Sequence, residues 1–155
     1  MPPPWERSTE MEIACPHCRQ RNRVPAERLA QGPSCGKCHR LLLDAPVEMT
    51  QNSFVELTSQ AKLPVLVDFW APWCAPCRSF APTFATAAAK YAGQAVFAKV
   101  DTEAQPALGQ QFAIRSIPTL MAFIGGREIA RVSGALPAAD LDRLVHQTLE
   151  RAAAG

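Results

Sequence analysis

Two cysteines separated by two residues, Cys74 and Cys77, are the groups in this chain best suited to redox chemistry. They follow an apolar run, residues 64–71, that is typical of a buried strand, and they precede a long segment with helical periodicity. Backbone N–H groups at a helix start are unpaired and favour negative charge, so we expect Cys74 to be an exposed thiolate there. Cys77 lies one turn further along the same face, within reach of a disulfide bond. The spacing therefore predicts a pair of thiols that opens and closes as a disulfide.

Four further cysteines have the spacing of metal ligands. Two C-x2-C pairs, sixteen residues apart, are typical of a four-thiolate zinc site: Cys15, Cys18, Cys35 and Cys38. Four thiolates fill a tetrahedral shell, so the predicted zinc is structural, and we expect His17 and His39 to face solvent. Residues 11–43 contain few aliphatic side chains, so we expect the metal to act as the core of this module.

Two other interpretations of this module compete with a zinc site. The sequence Cys15-Pro-His-Cys18 contains the dipeptide found between the cysteines of strongly oxidising disulfide enzymes, which would make it a second redox site, but no apolar strand precedes it. The basic residues of the module would suit a nucleic-acid-binding ribbon. However, no aromatic residue lies between Ile13 and Leu43 to stack on a base. We therefore expect zinc and no nucleic-acid partner.

Composition favours one hydrophobic core with a small module beside it. The chain has 155 residues, 48% of them hydrophobic, and its formal net charge of +2 argues against a general polyanion binder. No apolar run approaches the roughly 20 residues that a membrane span needs, and the N-terminus lacks the apolar segment of a secretion signal. We therefore expect a cytoplasmic monomer with no membrane partner. In a reducing compartment, six cysteines indicate metal binding and redox catalysis rather than three structural disulfides.

The chain divides into three predicted parts. Residues 1–10, with three consecutive prolines, are expected to be disordered, residues 11–43 to form the zinc-binding module, and residues 44–151 to form the main domain. Within the main domain, we expect a capping box from Ser53 to Glu56 to open the first helix.

The elements of the main domain alternate between strands and helices. The predicted strands are residues 47–49, 64–71, 95–100, 119–124 and 128–133, and the predicted helices start near residues 53, 74, 102 and 137. We expect Pro82 to kink the second helix rather than end it. The order β-α-β-α-β-α-β-β-α predicts an α/β fold with a mixed sheet.

Asp68 is the one charged residue of the apolar run 64–71. Burial in such a strand raises the pKa of a carboxyl group and suits it to accept a proton near neutral pH. A structural carboxyl satisfied by hydrogen bonds explains the residue equally well. Lys99, on the adjacent predicted strand, is compatible with a surface lysine.

The run Val67-Asp-Phe-Trp-Ala-Pro-Trp-Cys-Ala-Pro-Cys77, with Arg115-Ser-Ile-Pro-Thr119 and the glycines at 126 and 134, resembles the thioredoxin family over residues 44–150. The four-cysteine extension resembles the second bacterial thioredoxin type, which carries zinc at its N-terminus. This resemblance implies the thioredoxin fold, a mixed central sheet flanked by helices, with a small N-terminal zinc-ribbon-like module. It also implies a protein-disulfide reductase that a thioredoxin-reductase-like partner recharges.

The same resemblance implies roles for individual residues. Cys74 would attack a substrate disulfide, Cys77 would resolve the mixed disulfide, and Asp68 would take the proton of Cys77 under the influence of Lys99. The Ile117–Pro118 peptide would be cis, and protein substrates would dock on a surface formed by Trp73, Ala75, Pro76, Ile117, Pro118 and Gly134. The family usually has Gly-Pro between its cysteines, so Ala75 leaves the redox potential and the substrate choice open.

Two alternatives stand beside a disulfide reductase. The first is a disulfide oxidase or isomerase that uses the same pair of thiols. The second is a zinc-dependent binding module or redox-triggered chaperone in which the thioredoxin-like body is a scaffold.

Overall fold

The computed structural model describes residues 10–155. Nine of the ten residues predicted to be disordered lie outside the described part, and the tenth, Glu10, begins a strand. Within residues 10–155, no helix is both long enough and apolar enough to cross a membrane.

The N-terminal module consists of a hairpin, a short helix and two cysteine-containing turns. Strands β1 (Glu10–Ala14) and β2 (Arg21–Pro25) pair in antiparallel register, and a 3₁₀ helix (Ala26–Gln31) follows. Burial alternates along β1, so that Met11 and Ile13 lie on one face, as the two-residue period of a strand requires.

The main domain is a five-stranded sheet with helices on both faces. Its strands are β3 (Val47–Glu48), β4 (Val65–Trp70), β5 (Val96–Asp101), β6 (Thr119–Ile124) and β7 (Arg127–Ser133). Its helices are α1 (Gln51–Gln60), α2 (Ala75–Lys90), α3 (Pro106–Gln111) and α4 (Ala138–Ala154). The strand order is β3-β5-β4-β6-β7, with β3, β5 and β4 parallel and β6 and β7 antiparallel to their neighbours. The predicted α/β fold with a mixed sheet is confirmed.

Central strand β4 is covered on both faces, which explains its apolar sequence. Val65, Val67 and Phe69 join the hydrophobic cluster that also contains α1 residues. Leu66 joins the opposite cluster, with residues of α2 and α4. Because side chains alternate along a strand, Asp68 shares the face of Leu66 and lies on the side of the sheet that α2 covers.

Helix α1 begins two residues before Ser53, so the predicted capping box is wrong. The N-cap is Thr50, whose side chain accepts the Ser53 backbone N–H at 3.3 Å. The Ser53 hydroxyl in turn accepts the Thr50 N–H at 2.8 Å. Ser53 is therefore the third-position partner of the box rather than its cap. Helix α2, by contrast, continues through Pro82 as predicted.

The N-terminal module and the main domain share one hydrophobic cluster. Met11 and Ile13 belong to the same buried cluster as Val47, Phe54 and Leu57. The interior of the module is therefore continuous with the main core, and the metal ligands are not its only source of stability. The division of the chain at residues 43 and 44 stays a prediction.

Candidate active site and candidate metal centre

Cys74 and Cys77 form a disulfide bond at the start of α2, with their Cα atoms 5.2 Å apart. Cys74 is the N-cap of the helix, and its Sγ accepts the backbone N–H of Cys77 at 3.2 Å. In the reduced protein the same donor would favour a thiolate at Cys74, since a hydrogen bond to the charged form stabilises it. The predicted disulfide-forming pair is confirmed.

Cys74 is more deeply covered than the sequence predicts. Cys74 is 4% exposed and Cys77 is 2% exposed, so the prediction of an exposed Cys74 is wrong for this oxidised form. The cover comes from Ala71, Trp70 and Ile117, which pack against the two cysteines. The Ile117 carbonyl oxygen lies 3.7 Å from Cys74 Sγ.

The loop that carries Pro118 is held beside the loop after β7. The Ile117–Pro118 peptide is cis, as the family resemblance implies, and Pro118 is buried. The Gly134 N–H donates to the Pro118 carbonyl at 2.8 Å. Gly134 has a φ of 100°, while nothing lies within 4 Å of the position that a Cβ would take, so the backbone conformation rather than space requires glycine here.

Three predicted docking residues stand out from the surface next to the disulfide. Ala75 and Pro76 are exposed, and Trp73 is 65% exposed. The Trp73 indole Nε1 donates to Glu103 Oε1 at 2.6 Å, which fixes an otherwise free side chain. The sequence did not lead us to Glu103, although a signal was present. Residues that follow parallel neighbouring strands meet at one end of the sheet, and Trp73 follows β4 while Glu103 follows β5.

Asp68 is fully buried, and neither of its carboxyl oxygens has a hydrogen-bond partner among residues 10–155. Burial raises the pKa of Asp68 to about 7, while Lys99 lowers it and Glu48 raises it further. Asp68 can therefore hold or release a proton near neutral pH. The alternative of a carboxyl satisfied by hydrogen bonds is not what the structure contains.

Lys99 lies opposite Asp68 in the parallel register of β4 and β5. Its Nζ is 4.2 Å from the centre of the Trp70 ring, a cation–π contact, and the side chain is partly buried. Lys99 is therefore held beside the site and is not a freely solvated surface lysine.

The four cysteines of the N-terminal module converge on one point. Their sulfur atoms all lie within 4.8 Å of one another, with Cys15 and Cys38 at 3.7 Å and Cys18 and Cys35 at 3.5 Å. Four thiolates around a zinc ion, with bonds of about 2.3 Å, are separated by about 3.8 Å in a regular tetrahedron. The donor set and its spacing therefore fit a closed four-thiolate zinc shell.

The two C-x2-C turns have the same geometry. The N–H of His17 donates to Cys15 Sγ at 3.4 Å, and the N–H of Lys37 donates to Cys35 Sγ at 3.3 Å. The fourth residue after each of these cysteines is left-handed, with φ of 69° at Arg19 and 67° at His39. In the second turn, backbone hydrogen bonds, above all from Cys38, lower the pKa of Cys35 to about 6, which favours the thiolate form that binds a metal.

His17 does not face solvent, so that prediction is wrong. Its Nε2 lies 3.0 Å from Asp44 Oδ1, and its side chain is only 14% exposed. This contact ties the first cysteine turn to the segment that leads into the main domain. His39 is exposed, as predicted.

Comparisons with known proteins agree with this geometry. The family model described as Thioredoxin matches residues 45–147, and the model described as Thioredoxin 2, N-terminal, a zinc ribbon, matches residues 14–40. Thioredoxin C-3 of Corynebacterium nephridii is 46% identical over 142 residues, which cover 91% of this chain and 97% of the relative. Thioredoxin 1 of Nostoc sp. is 43% identical over 70% of this chain and 98% of its own length.

A solved structure gives the same result for the fold. A mutant thioredoxin from Halobacterium salinarum superimposes with a TM-score of 0.64 at 30% identity, covering 69% of this chain and 93% of that chain. With the disulfide at the helix start and the clustered N-terminal cysteines, these matches establish that the chain belongs to the thioredoxin family, as a thiol–disulfide oxidoreductase with an N-terminal zinc-ribbon module.

Proposed function

We propose that this protein reduces disulfide bonds in other proteins, with Cys74 as the attacking thiol and Cys77 as the resolving thiol. The observation that carries the proposal is the asymmetry of the pair. Cys74 is the N-cap and its sulfur accepts the N–H of Cys77, whereas Cys77 lies inside the first turn of α2. The helix start favours the thiolate at Cys74, so Cys74 is the better nucleophile of the two.

The reaction transfers two electrons from the dithiol to the substrate. The Cys74 thiolate attacks one sulfur of the substrate disulfide, a mixed disulfide forms, and the other substrate sulfur leaves as a thiolate. Cys77 then loses its proton, and its thiolate attacks the Cys74 sulfur. The second substrate thiolate leaves, and the Cys74–Cys77 disulfide found in the structure remains.

Asp68 is the group that we assign to take the proton of Cys77. It lies on the face of the sheet that α2 covers, and its burial raises its pKa to about 7, which suits a base at neutral pH. Lys99 modulates this carboxyl, because its positive charge lowers the same pKa. Both roles also match those that the family resemblance implies.

Substrate docking is assigned to the rim around the disulfide. Trp73, Ala75 and Pro76 supply an exposed surface on one side of it. Ile117, Pro118 and Gly134 supply the other side, where the Ile117 backbone would pair with an extended segment of the substrate. A docked segment would thus lie across the disulfide that it exchanges with.

The N-terminal module would hold one zinc ion through Cys15, Cys18, Cys35 and Cys38. Zinc in such a closed shell supplies folding stability, since four protein ligands leave no position for a substrate. We also propose that a thioredoxin-reductase-like partner returns electrons to the disulfide, and that the protein works as a monomer in the cytoplasm. A reducing compartment would keep the module thiols available for the metal.

Two serine variants test the assignment of the cysteines. Reduced Cys77→Ser protein, mixed with a model protein disulfide, is expected to accumulate a covalent adduct through Cys74, because no second thiol resolves it. Cys74→Ser is expected to give no such adduct. The readout is intact-mass spectrometry beside the rate of substrate reduction, and parent-rate reduction by both variants would falsify the assignment.

Equilibration with glutathione redox buffers separates a reductase from an oxidase or isomerase. A reductase is expected to keep its disulfide in buffers that fully reduce a strongly oxidising enzyme. Protection of aggregating clients by Cys74→Ser, in a manner that depends on zinc release, would instead support the chaperone alternative.

A further inference from the structure

Three charged residues form a row across adjacent parallel strands. Glu48 of β3 lies opposite Lys99 of β5, and Lys99 lies opposite Asp68 of β4. Residues in register on neighbouring strands point to the same face of a sheet. The ammonium of Lys99 is therefore flanked by one carboxylate at the sheet edge and one in the sheet centre.

Lys99 forms a close ion pair with neither carboxylate. Among residues 10–155, no carboxylate oxygen lies within 4.0 Å of its Nζ, which instead rests on the Trp70 ring at 4.2 Å. In this position Lys99 does not pair with Asp68. Neither carboxyl oxygen of Asp68 has a hydrogen-bond partner among the described residues. The row is thus arranged so that the ammonium is shared rather than bound to the buried carboxyl.

The edge end of the row opens to solvent. Glu48 is exposed and lines a cleft of about 760 Å³ together with Trp70, Asp101 and, from the zinc-ribbon module, Arg19. Asp68 is fully buried at the other end. One carboxylate therefore lies at the cleft, while the other, facing the same lysine, has no exposed surface.

We propose that Glu48 is a positioning residue for the disulfide exchange: its carboxylate shares the Lys99 ammonium with Asp68 and so keeps that ammonium from pairing fully with the buried carboxyl. This inference rests on the proposed role of Asp68 as proton acceptor. A carboxyl fully paired with a lysine ionises too readily to take a proton from a thiol near neutral pH. In this proposal, Glu48 prevents the full pairing of Asp68 with Lys99.

Among the described residues, few charged groups lie near Asp68 and Glu48, the two ends of the row. Lys99 and Glu48 act on Asp68, its proposed proton donor is the Cys77 thiol of α2, and its opposite neighbour on β6 is the apolar Leu120. Lys99, Asp101 and Arg19 act on Glu48. Removing the charge of Glu48 leaves Asp68 as the sole carboxylate of the row that attracts Lys99.

Glu48→Gln is therefore expected to lower the pKa of Asp68. The two residues are two strand spacings apart, about 10 Å, and a unit charge at that distance, partly screened by water, gives about half a pH unit directly. Fuller pairing of the Lys99 ammonium with Asp68 adds to this direct shift. The measurement is the carboxyl carbon resonance of Asp68 in the oxidised full-length protein, followed across pH. The acid limb of the pH–rate profile for substrate reduction is expected to move down by the same amount.

Glu56→Gln is the matched control. Glu56 lines the same cleft from α1, outside the row, so its substitution is expected to leave the Asp68 titration in place. Making Glu48→Gln in a Lys99→Met protein tests whether Glu48 acts through the lysine. If Glu48 also acts through the ammonium, Glu48→Gln shifts the pKa of Asp68 by less once Lys99 is replaced, because only the direct effect of the lost charge remains.

The outcomes separate the two proposals. No shift in Glu48→Gln, an equal shift in Glu56→Gln, or an undiminished shift in the Lys99→Met background would overturn the role of Glu48. Failure of the proposed function has a different signature: Asp68→Asn would leave the acid limb of the parent profile unchanged. The resonance measurement still decides the role of Glu48 in that case, because it does not depend on the reaction.

Discussion

Relative to the parent, the oxidised Asp68→Asn protein is expected to gain stability as pH rises. The pKa of Asp68 is raised by burial from its ordinary value of 3.8 to about 7, a difference of about three pH units. Between about pH 4 and pH 7, the unfolded chain has lost the proton that the folded chain keeps. The free energy of unfolding therefore falls as pH rises through this window, by about 4 kcal/mol in total, and levels off above it.

About half of that window is accessible to experiment. From about pH 5.5 to about pH 8.5 the parent is expected to lose about 2 kcal/mol through this one group. The asparagine side chain does not titrate, so the stability difference between Asp68→Asn and the parent is expected to grow by that amount. Any fixed cost of a buried amide cancels, because it is the same at every pH.

Urea unfolding of both oxidised proteins at several pH values measures the difference. The four-cysteine module is identical in the two proteins, so its own pH dependence also cancels. Glu150→Gln, which removes an exposed carboxylate from α4, controls for the change in net charge. A stability difference that stays constant across the window would refute the reasoning, since Asp68 would then be ionised in the folded protein throughout.

Three further outcomes follow from other parts of the structure. Chelation of the metal, or Cys35→Ser, is expected to lower the midpoint of thermal unfolding and to remove about one zinc ion per chain, measured by atomic emission. A zinc content far below one ion per chain in freshly reduced parent protein would contradict the zinc site. Thr50→Ala removes the N-cap of α1 and is expected to cost about 1 kcal/mol in urea unfolding, whereas Ser59→Ala, on the exposed side of the same helix, serves as its control. Met11→Ala is expected to cost about 2–5 kcal/mol and to lower the stability of the main domain as well, because Met11 is fully buried in the shared cluster; an unchanged main-domain transition would show that the two parts unfold independently.

The sequence predicted the order of the main-domain elements because their patterns are local. The apolar run of β4 and the periodicity of α2 and α4 depend on neighbours in the chain. The cysteine spacings were equally informative, since a C-x2-C turn brings two sulfurs together whatever surrounds it. Asp68 was identifiable as well, because a lone carboxylate in an apolar strand has few explanations.

What the sequence did not predict depends on contacts between distant segments. Cys74 is covered by Ile117, and His17 meets Asp44, in each case across an interval that periodicity does not describe. Glu103 was missed for the same reason, as its partner Trp73 lies on another strand end. The capping box of α1 failed differently: Thr50 and Ser53 both suit an N-cap, and only the backbone geometry selects between them.

The shared hydrophobic cluster also matters for the order in which a ribosome makes this chain. Met11 and Ile13 leave the ribosome early, but Phe123, which belongs to the same cluster, is in the sixth strand. During translation the N-terminal hairpin must therefore wait for most of its apolar partners. The four cysteine ligands, in contrast, are complete once Cys38 has emerged. A bound zinc ion would thus give the nascent module its first fixed structure, and the growing domain would then fold against a surface that is already in place.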